Sequence, residues 1–180
     1  MIRFFAWFVG LLVVLFLLEL TPPVQTYFVI PWTNSLASIS TFIVTLFDPN
    51  VVASGNVMRN NVNGFAVGIE AGCNGVEAAI VLVAAMLAFP APWRYRALGI
   101  AIGIAAVQLL NIVRVISLFY IGQWDFSVFE WAHQYVWQAL IMLDVLIVWL
   151  VWIRTLPRAS SGGRDDVPPP AGGRALPAAT

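Results

Sequence analysis

The sequence predicts an all-α polytopic membrane protein, with about four transmembrane helices, an interfacial amphipathic helix and a small external segment. Three observations lead there. Only 10% of the 180 residues are charged while 61% are hydrophobic, whereas a soluble domain carries about 25% charged residues and needs them to cover its surface. Four apolar stretches approach the roughly 20 residues that a helix needs to cross a bilayer. The arginines, finally, fall consistently on one side when four crossings are drawn. A mean hydropathy of +0.87 agrees.

Residues 4–20 are almost wholly apolar behind Arg3 and make the first span. A cleaved signal peptide is the alternative, but Leu20-Thr21-Pro22-Pro23 offers no small-x-small cleavage site. Pro22, Pro23 and Pro31 then punctuate an external segment, 21–72. Within it, residues 32–47 place Leu36, Ile39, Ile43, Leu46 and Phe47 at roughly helical spacing, with Ser and Thr between. That stretch is short and hydroxyl-rich for a span and reads as an amphipathic helix in the interface. Asp48-Pro49-Asn50 stops it. Residues 51–69 mix β-branched residues with Gly55, Asn60, Asn61, Asn63 and Gly64, the pattern of short extended segments, turns and a small hairpin.

The second span, 74–90, is alanine-rich and ends at Pro90 and Pro92. The third, 97–120, is interrupted by Gln108, Asn111 and Arg114. A polar and aromatic loop, 121–131, leads to the fourth, 134–153, which carries Asp144. Residues 1–157 thus form one membrane-embedded domain. Residues 158–180 mix Pro, Gly, Ala and Ser with a few charges, cannot bury a core, and are expected to be a disordered cytoplasmic tail.

Arg3, Arg94, Arg96, Arg154 and Arg158 share one side in this topology, against Arg59 alone on the other. That side is expected to be cytoplasmic and to hold both termini, leaving 21–72 and 121–131 external. Counting 32–47 as a fifth span would set Arg3 opposite the other four. No lysine occurs and the arginines are scattered, so there is no basic stripe for nucleic acid. One cysteine and one histidine exclude a clustered metal site, and no cofactor is expected. The partner that composition demands is the lipid bilayer.

The lone cysteine, Cys73, lies in Glu70-Ala71-Gly72-Cys73-Asn74-Gly75-Val76-Glu77, at the outer end of the second span. A single cysteine in an apolar chain is ordinarily an inert small hydrophobe. Here small neighbours admit a substrate, and a helix start favours a thiolate and offers backbone N–H groups to an oxyanion. Arg114 sits inside a span, which is costly unless it faces a polar cavity or a partner. It lies only ~9 Å inside the outer boundary at the rise of an α-helix, and the competing reading is an ion pair with Glu70, Glu77 or Glu130. Asn111 precedes it on the same helical face, so the two are placed to grip a carbonyl or carboxylate. His133, at the outer start of the fourth span, taken alone is one of an interfacial aromatic belt with Trp131, Tyr135 and Trp137. At the depth of the only cysteine it reads as a general base or acid. Cys73, Arg114 and His133 are therefore the candidate catalytic residues, with Asn111, Asn74 and Glu77 as candidate substrate contacts. Glu77 is also placed to orient His133 or Arg114. Gln108 and Asp144, near the bilayer centre, are expected to share a structural hydrogen bond.

Ala71-Gly72-Cys73-Asn74-Gly75-Val76, then Asn111-Ile112-Val113-Arg114-Val115, then His133 at the head of a span, together resemble the exosortase/archaeosortase family, most like its short bacterial form, exosortase H. The resemblance covers residues 68–154. It implies a multi-pass cysteine peptidase or transpeptidase of the bacterial inner membrane, acting on the external, periplasmic face. Its substrates would be secreted proteins with a C-terminal sorting signal of the PEP-CTERM kind: a short motif, a transmembrane helix and a basic end. By motif, the family's catalytic Cys, Arg and His fall on Cys73, Arg114 and His133. The chain departs from the family in having fewer spans than larger members, and in Asn74 where serine is frequent; both bear on the substrate. Two other functions fit the residues. One is a non-enzymatic membrane scaffold, with Cys73 as packing and Arg114 in an ion pair. The other is a small transporter lined by Arg114, Gln108 and Asp144, against which the polar set's concentration on one side counts.

Overall fold

The structure, a computed structural model, describes residues 2–157; the expected tail, 158–180, lies outside them. The helices are α1 (Ile2–Glu19), α2 (Pro22–Thr45), α3 (Val76–Ala88), α4 (Trp93–Trp124) and α5 (Phe126–Thr155). Between α2 and α3 stand β1 (Val51–Ser54), β2 (Val57–Asn60) and β3 (Ala66–Gly68). Two π-helical turns interrupt the α-helical register, Gln25–Val29 in α2 and Ala132–Val136 in α5. The chain is thus a helical bundle with several helices long and apolar enough to cross a membrane.

The shortest helix is at the centre. α3 packs against α1, α4 and α5, and its Leu82 and Met86 are fully buried. Its 13 residues reach roughly 20 Å at 1.5 Å per residue, less than the second span expected over 74–90. Gly75, with φ +73°, bends the chain at one end, and Pro90 and Pro92 prevent continuation at the other. Its first turn lies level with Gln108, halfway along α4, because the Gln108 amide reaches Gly75 O. The remaining height is taken up by the non-helical turn that carries Cys73, and by the sheet.

α4 is the opposite case. Its 32 residues extend about 48 Å, well beyond a hydrocarbon core of about 30 Å, so it outruns the expected 97–120 at both ends. One end packs close to its neighbours through small residues: a Cβ on Gly103 would stand 2.7 Å from Leu82 Cδ2 and 3.2 Å from Val148 Cγ1, and one on Gly99 would collide with the Trp152 indole. That indole is fixed by its Nε1–H donating to Tyr95 O at 2.9 Å. The other end carries the sheet. Gln123 Oε1 accepts from Asn60 and Asn63, and Phe65 packs on Phe119 with centroids 5.9 Å apart. The strands alternate as a one-sided sheet must, with Val51 and Met58 buried against Leu36, Val44 and Phe119, and Val52, Arg59 and Ala66 exposed.

α2 starts ten residues before the expected interfacial helix, 32–47, and ends two residues before that helix does. Length and apolarity alone would let Pro22–Thr45 cross a membrane, yet its contacts stay at the Cys73 end. Trp32 Nε1 donates to Asn74 O at 3.3 Å, and Asp48, just past the helix, accepts from Asn60. Its inward face is mixed: Thr33, Ser40 and Thr41 are buried together with Leu36, Ala37 and Val44, while Ile39, Phe42, Leu46 and Phe47 are exposed. Among the buried hydroxyls, Thr33 bonds back to Val29 O of its own helix, whereas those of Ser40 and Thr41 have no partner among the described residues.

The bundle order agrees with the arginine distribution. Phe4 stacks near Phe89 and Trp149, and Arg96 donates to Phe89 O, so Arg3, Arg94, Arg96 and Arg154 gather at one end. Arg59 lies on the sheet at the other. Gly99→Ala should cost about 1–3 kcal/mol through overpacking against Trp152, read as a lower Tm of detergent-purified protein. Gly10→Ala, where nothing lies within 4 Å, should be neutral or slightly stabilising; equal effects would contradict the close α4–α5 approach.

Candidate active site

The site is a turn held by a helix. Gly72 and Gly75, both at positive φ, let the chain from Glu70 to Gly75 leave β3 and enter α3 without forming a helix, which turns three carbonyls toward α4. Three side chains on one side of α4 meet them in order. Gln108 Nε2 donates to Gly75 O at 3.2 Å, Asn111 Nδ2 to Cys73 O at 3.1 Å, and Arg114 Nη1 to Gly72 O at 3.2 Å. Residues three apart on a helix are neighbours, so the ladder is a direct product of the spacing 108, 111, 114. A side chain at Gly75 is excluded by space as well as by φ: its Cβ would lie 2.9 Å from both amide atoms of Gln108.

Cys73 then projects into a cavity of about 130 Å³ lined by Val67, Gly68, Leu118, Phe129, Arg114 and His133 among others. Its Sγ is 3.0 Å from His133 Nε2 and 3.5 Å from Arg114 Nη2. The imidazole lies nearly parallel to Phe129, with centroids 5.7 Å apart. It sits in the π-helical turn Ala132–Val136, the kind of single-turn irregularity that re-aims a side chain at functional positions.

Of the residues predicted from sequence, Cys73, Arg114 and His133 come together from three different elements. The other three are drawn behind the turn. Asn111 is 0% exposed, with its amide on Cys73 O. Asn74 is 1% exposed, donates to Thr33 Oγ1 and accepts from Val76 N–H. Glu77 Oε1 accepts Gly72 N–H at 2.6 Å and so fixes the turn instead of orienting His133. All three shape the loop that carries Cys73. The expected Gln108–Asp144 bond does not form: Gln108 reaches the turn, and Asp144 Oδ2 is buried without a partner among the described residues. Arg114, 2% exposed, bonds a carbonyl and the thiol, and its Nε has no partner among the described residues. Gln108 holds the turn instead of meeting Asp144, and the signal for that role is the polar triplet spacing 108, 111, 114 on an otherwise apolar helix.

The electrostatics revise the expected thiolate. Burial pushes the Cys73 thiol above its ordinary range; Arg114 draws it down, and Glu77 and Glu70 push it up. The backbone N–H groups expected to hold an oxyanion are also engaged, with Gly72 N–H on Glu77, Cys73 N–H on Glu70 O at 2.9 Å, and Val76 N–H on Asn74. The resting group is thus a thiol beside an imidazole, with Arg114 as the cation at hand.

The transmembrane exosortase family profile (Exosortase_EpsH) matches residues 3–152. The chain belongs to the transmembrane exosortase family. No curated protein and no solved structure gives a match. The matched exosortase region runs from the start of α1 into the last turn of α5, with Cys73, Arg114 and His133 inside it.

Because the thiolate is the reactive form and the Arg114 charge lowers the Cys73 pKa, removing that charge raises the pKa and leaves less thiolate at neutral pH. Arg114→Gln should therefore slow iodoacetamide alkylation of Cys73 at neutral pH by roughly tenfold, with the rate–pH profile displaced upward. A downward displacement would contradict the assignment.

Proposed function

We propose that this exosortase-family protein is a cysteine peptidase or transpeptidase embedded in the bacterial inner membrane. It cleaves C-terminal, PEP-CTERM-like sorting signals from secreted proteins on the external, periplasmic face, with both termini cytoplasmic. The observation that carries the reading is the contact of Cys73 Sγ with His133 Nε2 at 3.0 Å beside the Arg114 guanidinium. Nucleophile and base within hydrogen-bond reach are the signature of nucleophilic catalysis, and a half-buried thiol whose pKa is pushed up needs such a base.

The steps follow from the groups present. His133 Nε2 takes the thiol proton as Sγ attacks the scissile carbonyl carbon. The carbonyl oxygen gains a negative charge, which Arg114 meets as a fixed cation in a site largely shielded from water. The C–N bond then breaks, His133 returns the proton to the leaving amine, and a thioester to Cys73 remains. Water or an external amine resolves it, with His133 again taking the proton. The polar turn sits at the Arg59 end of the bundle, so a substrate anchored by its own helix presents its flanking peptide at this level.

Mass spectrometry of a secreted substrate's C-terminus tests the reading. Wild type should yield a new C-terminus, and Cys73→Ala should leave the tail attached in the membrane; normal processing by that variant would end the proposal. A free carboxylate would mean hydrolysis and an added mass transfer. His133→Ala should lower turnover about 10²–10⁴-fold, the usual worth of a positioned base. Arg114→Lys keeps the charge but loses the planar fork that spans Gly72 O and Sγ, and should lower it by about 10² or more; near-normal kcat would remove Arg114 from the oxyanion role.

A further inference from the structure

β3 is an edge strand beside the nucleophile. The sheet order is β1-β2-β3, and the register decides what the outer side of β3 offers. Asn60 N–H donates to Phe65 O and Ile69 N–H to Asn56 O, both at 2.9 Å, with Met58 opposite Val67 between them. In an antiparallel ladder, hydrogen-bonded and non-hydrogen-bonded pairs alternate. Phe65, Val67 and Ile69 therefore turn their peptide groups toward β2, and Ala66 and Gly68 turn theirs away from it. Both of these residues are exposed. Val67, Gly68, Ile69 and Glu70 line the same cavity as Cys73, Arg114 and His133, so the unpaired edge runs into the reaction site. The opposite edge strand, β1, packs against α2.

We propose that the free edge of β3 is the peptide-binding rail of the site. An extended segment of the polypeptide substrate adds to it as a fourth strand, pairs with the outward N–H and C=O groups of Ala66 and Gly68, and lays its scissile carbonyl against Cys73 Sγ. This rests on the cysteine-peptidase reading above. Strand addition draws affinity from main-chain hydrogen bonds and specificity from pockets for alternate side chains. Leu118 and Phe129 supply one such apolar wall in the cavity. Small residues at both outward positions let a second backbone approach closely, and recognition of an extended main chain suits a site that serves more than one protein.

The test alkylates Cys73 in the purified full-length protein with two reagents that share a reactive group: chloroacetone and acetyl-tetra-alanyl chloromethyl ketone. In both, Sγ forms a bond to the methylene carbon as the C–Cl bond breaks, chloride leaves and His133 takes the thiol proton. Intact mass over time gives each rate. The tetrapeptide reagent should react faster. Replacing its amides by esters one at a time, which removes the N–H, should slow it about three- to tenfold per lost bond, at alternate positions only. Ala66→Pro removes an outward N–H while sparing the Val67–Met58 pairing, and should lower the peptide-to-chloroacetone rate ratio by a similar factor; a merely structural effect would move both rates together. No rate advantage for the tetrapeptide reagent, or equal ester effects at every position, would overturn the rail. A Cys73 that chloroacetone leaves unmodified would instead overturn the peptidase reading, and the rail with it.

Discussion

Irregular backbone inside a membrane protein must have its carbonyls satisfied from within, because lipid offers no hydrogen bonds. The turn from Glu70 to Gly75 meets that demand through α4: Gln108, Asn111 and Arg114 donate to Gly75 O, Cys73 O and Gly72 O. Three N–H groups of the same segment are answered by Glu77, Glu70 O and Asn74. Take the ladder away and three carbonyls are stranded beside a buried helix. The polar residues on α4 therefore hold the turn, and the cost of placing an arginine in the bundle is offset by the carbonyl and the thiol that it bonds.

The same arrangement explains why the cysteine is held neutral and still poised. Fixing the turn buries Sγ, which raises its pKa, and also brings Nη2 of Arg114 to 3.5 Å, which lowers it. A permanently ionised thiolate at this depth would attract any electrophile that entered. In the proposed reaction the thiol gives its proton to His133, and so reacts when a carbonyl is positioned to accept attack. His133 is set by the π-helical turn of α5 and the face of Phe129, independently of the ladder, so nucleophile and base are positioned by separate supports.

Much of this was legible in the sequence, and the failures share a cause. Charge poverty, apolar runs and the arginine distribution are bulk properties imposed by the bilayer, and they gave the helical membrane class. Cys73, Arg114 and His133 were legible because each is costly or rare where it stands. Asn111, Asn74 and Glu77 were read as facing a substrate because a polar residue near a nucleophile invites it. Whether an amide points into a cavity or backs onto a carbonyl depends on the path of the neighbouring loop, which spacing on its own helix does not encode. α2 is a similar case: Thr33, Ser40 and Thr41 pack inward beside Leu36, Ala37 and Val44, and hydroxyl content alone does not encode which face they take. The length of α4 was underestimated because hydropathy measures the part in lipid, and this helix continues past it to carry the sheet.

That excess length has a mechanical consequence. α4 is one uninterrupted helix from Trp93 to Trp124, and both the Cys73 turn and the sheet are attached along it. Its first third seats α3 and α5 through Gly99 and Gly103, its middle holds the Cys73 turn, and its last turns hold the sheet through Phe119 and Gln123. Cys73 and β3 are joined by a short loop with Gly72 at positive φ, which by itself would leave their relative position soft. Anchoring both to one stiff rod removes that freedom. In the proposed reaction, a strand edge and a thiol so registered would present a peptide carbonyl at one height, the geometry that cleavage at a fixed distance from an anchored substrate requires.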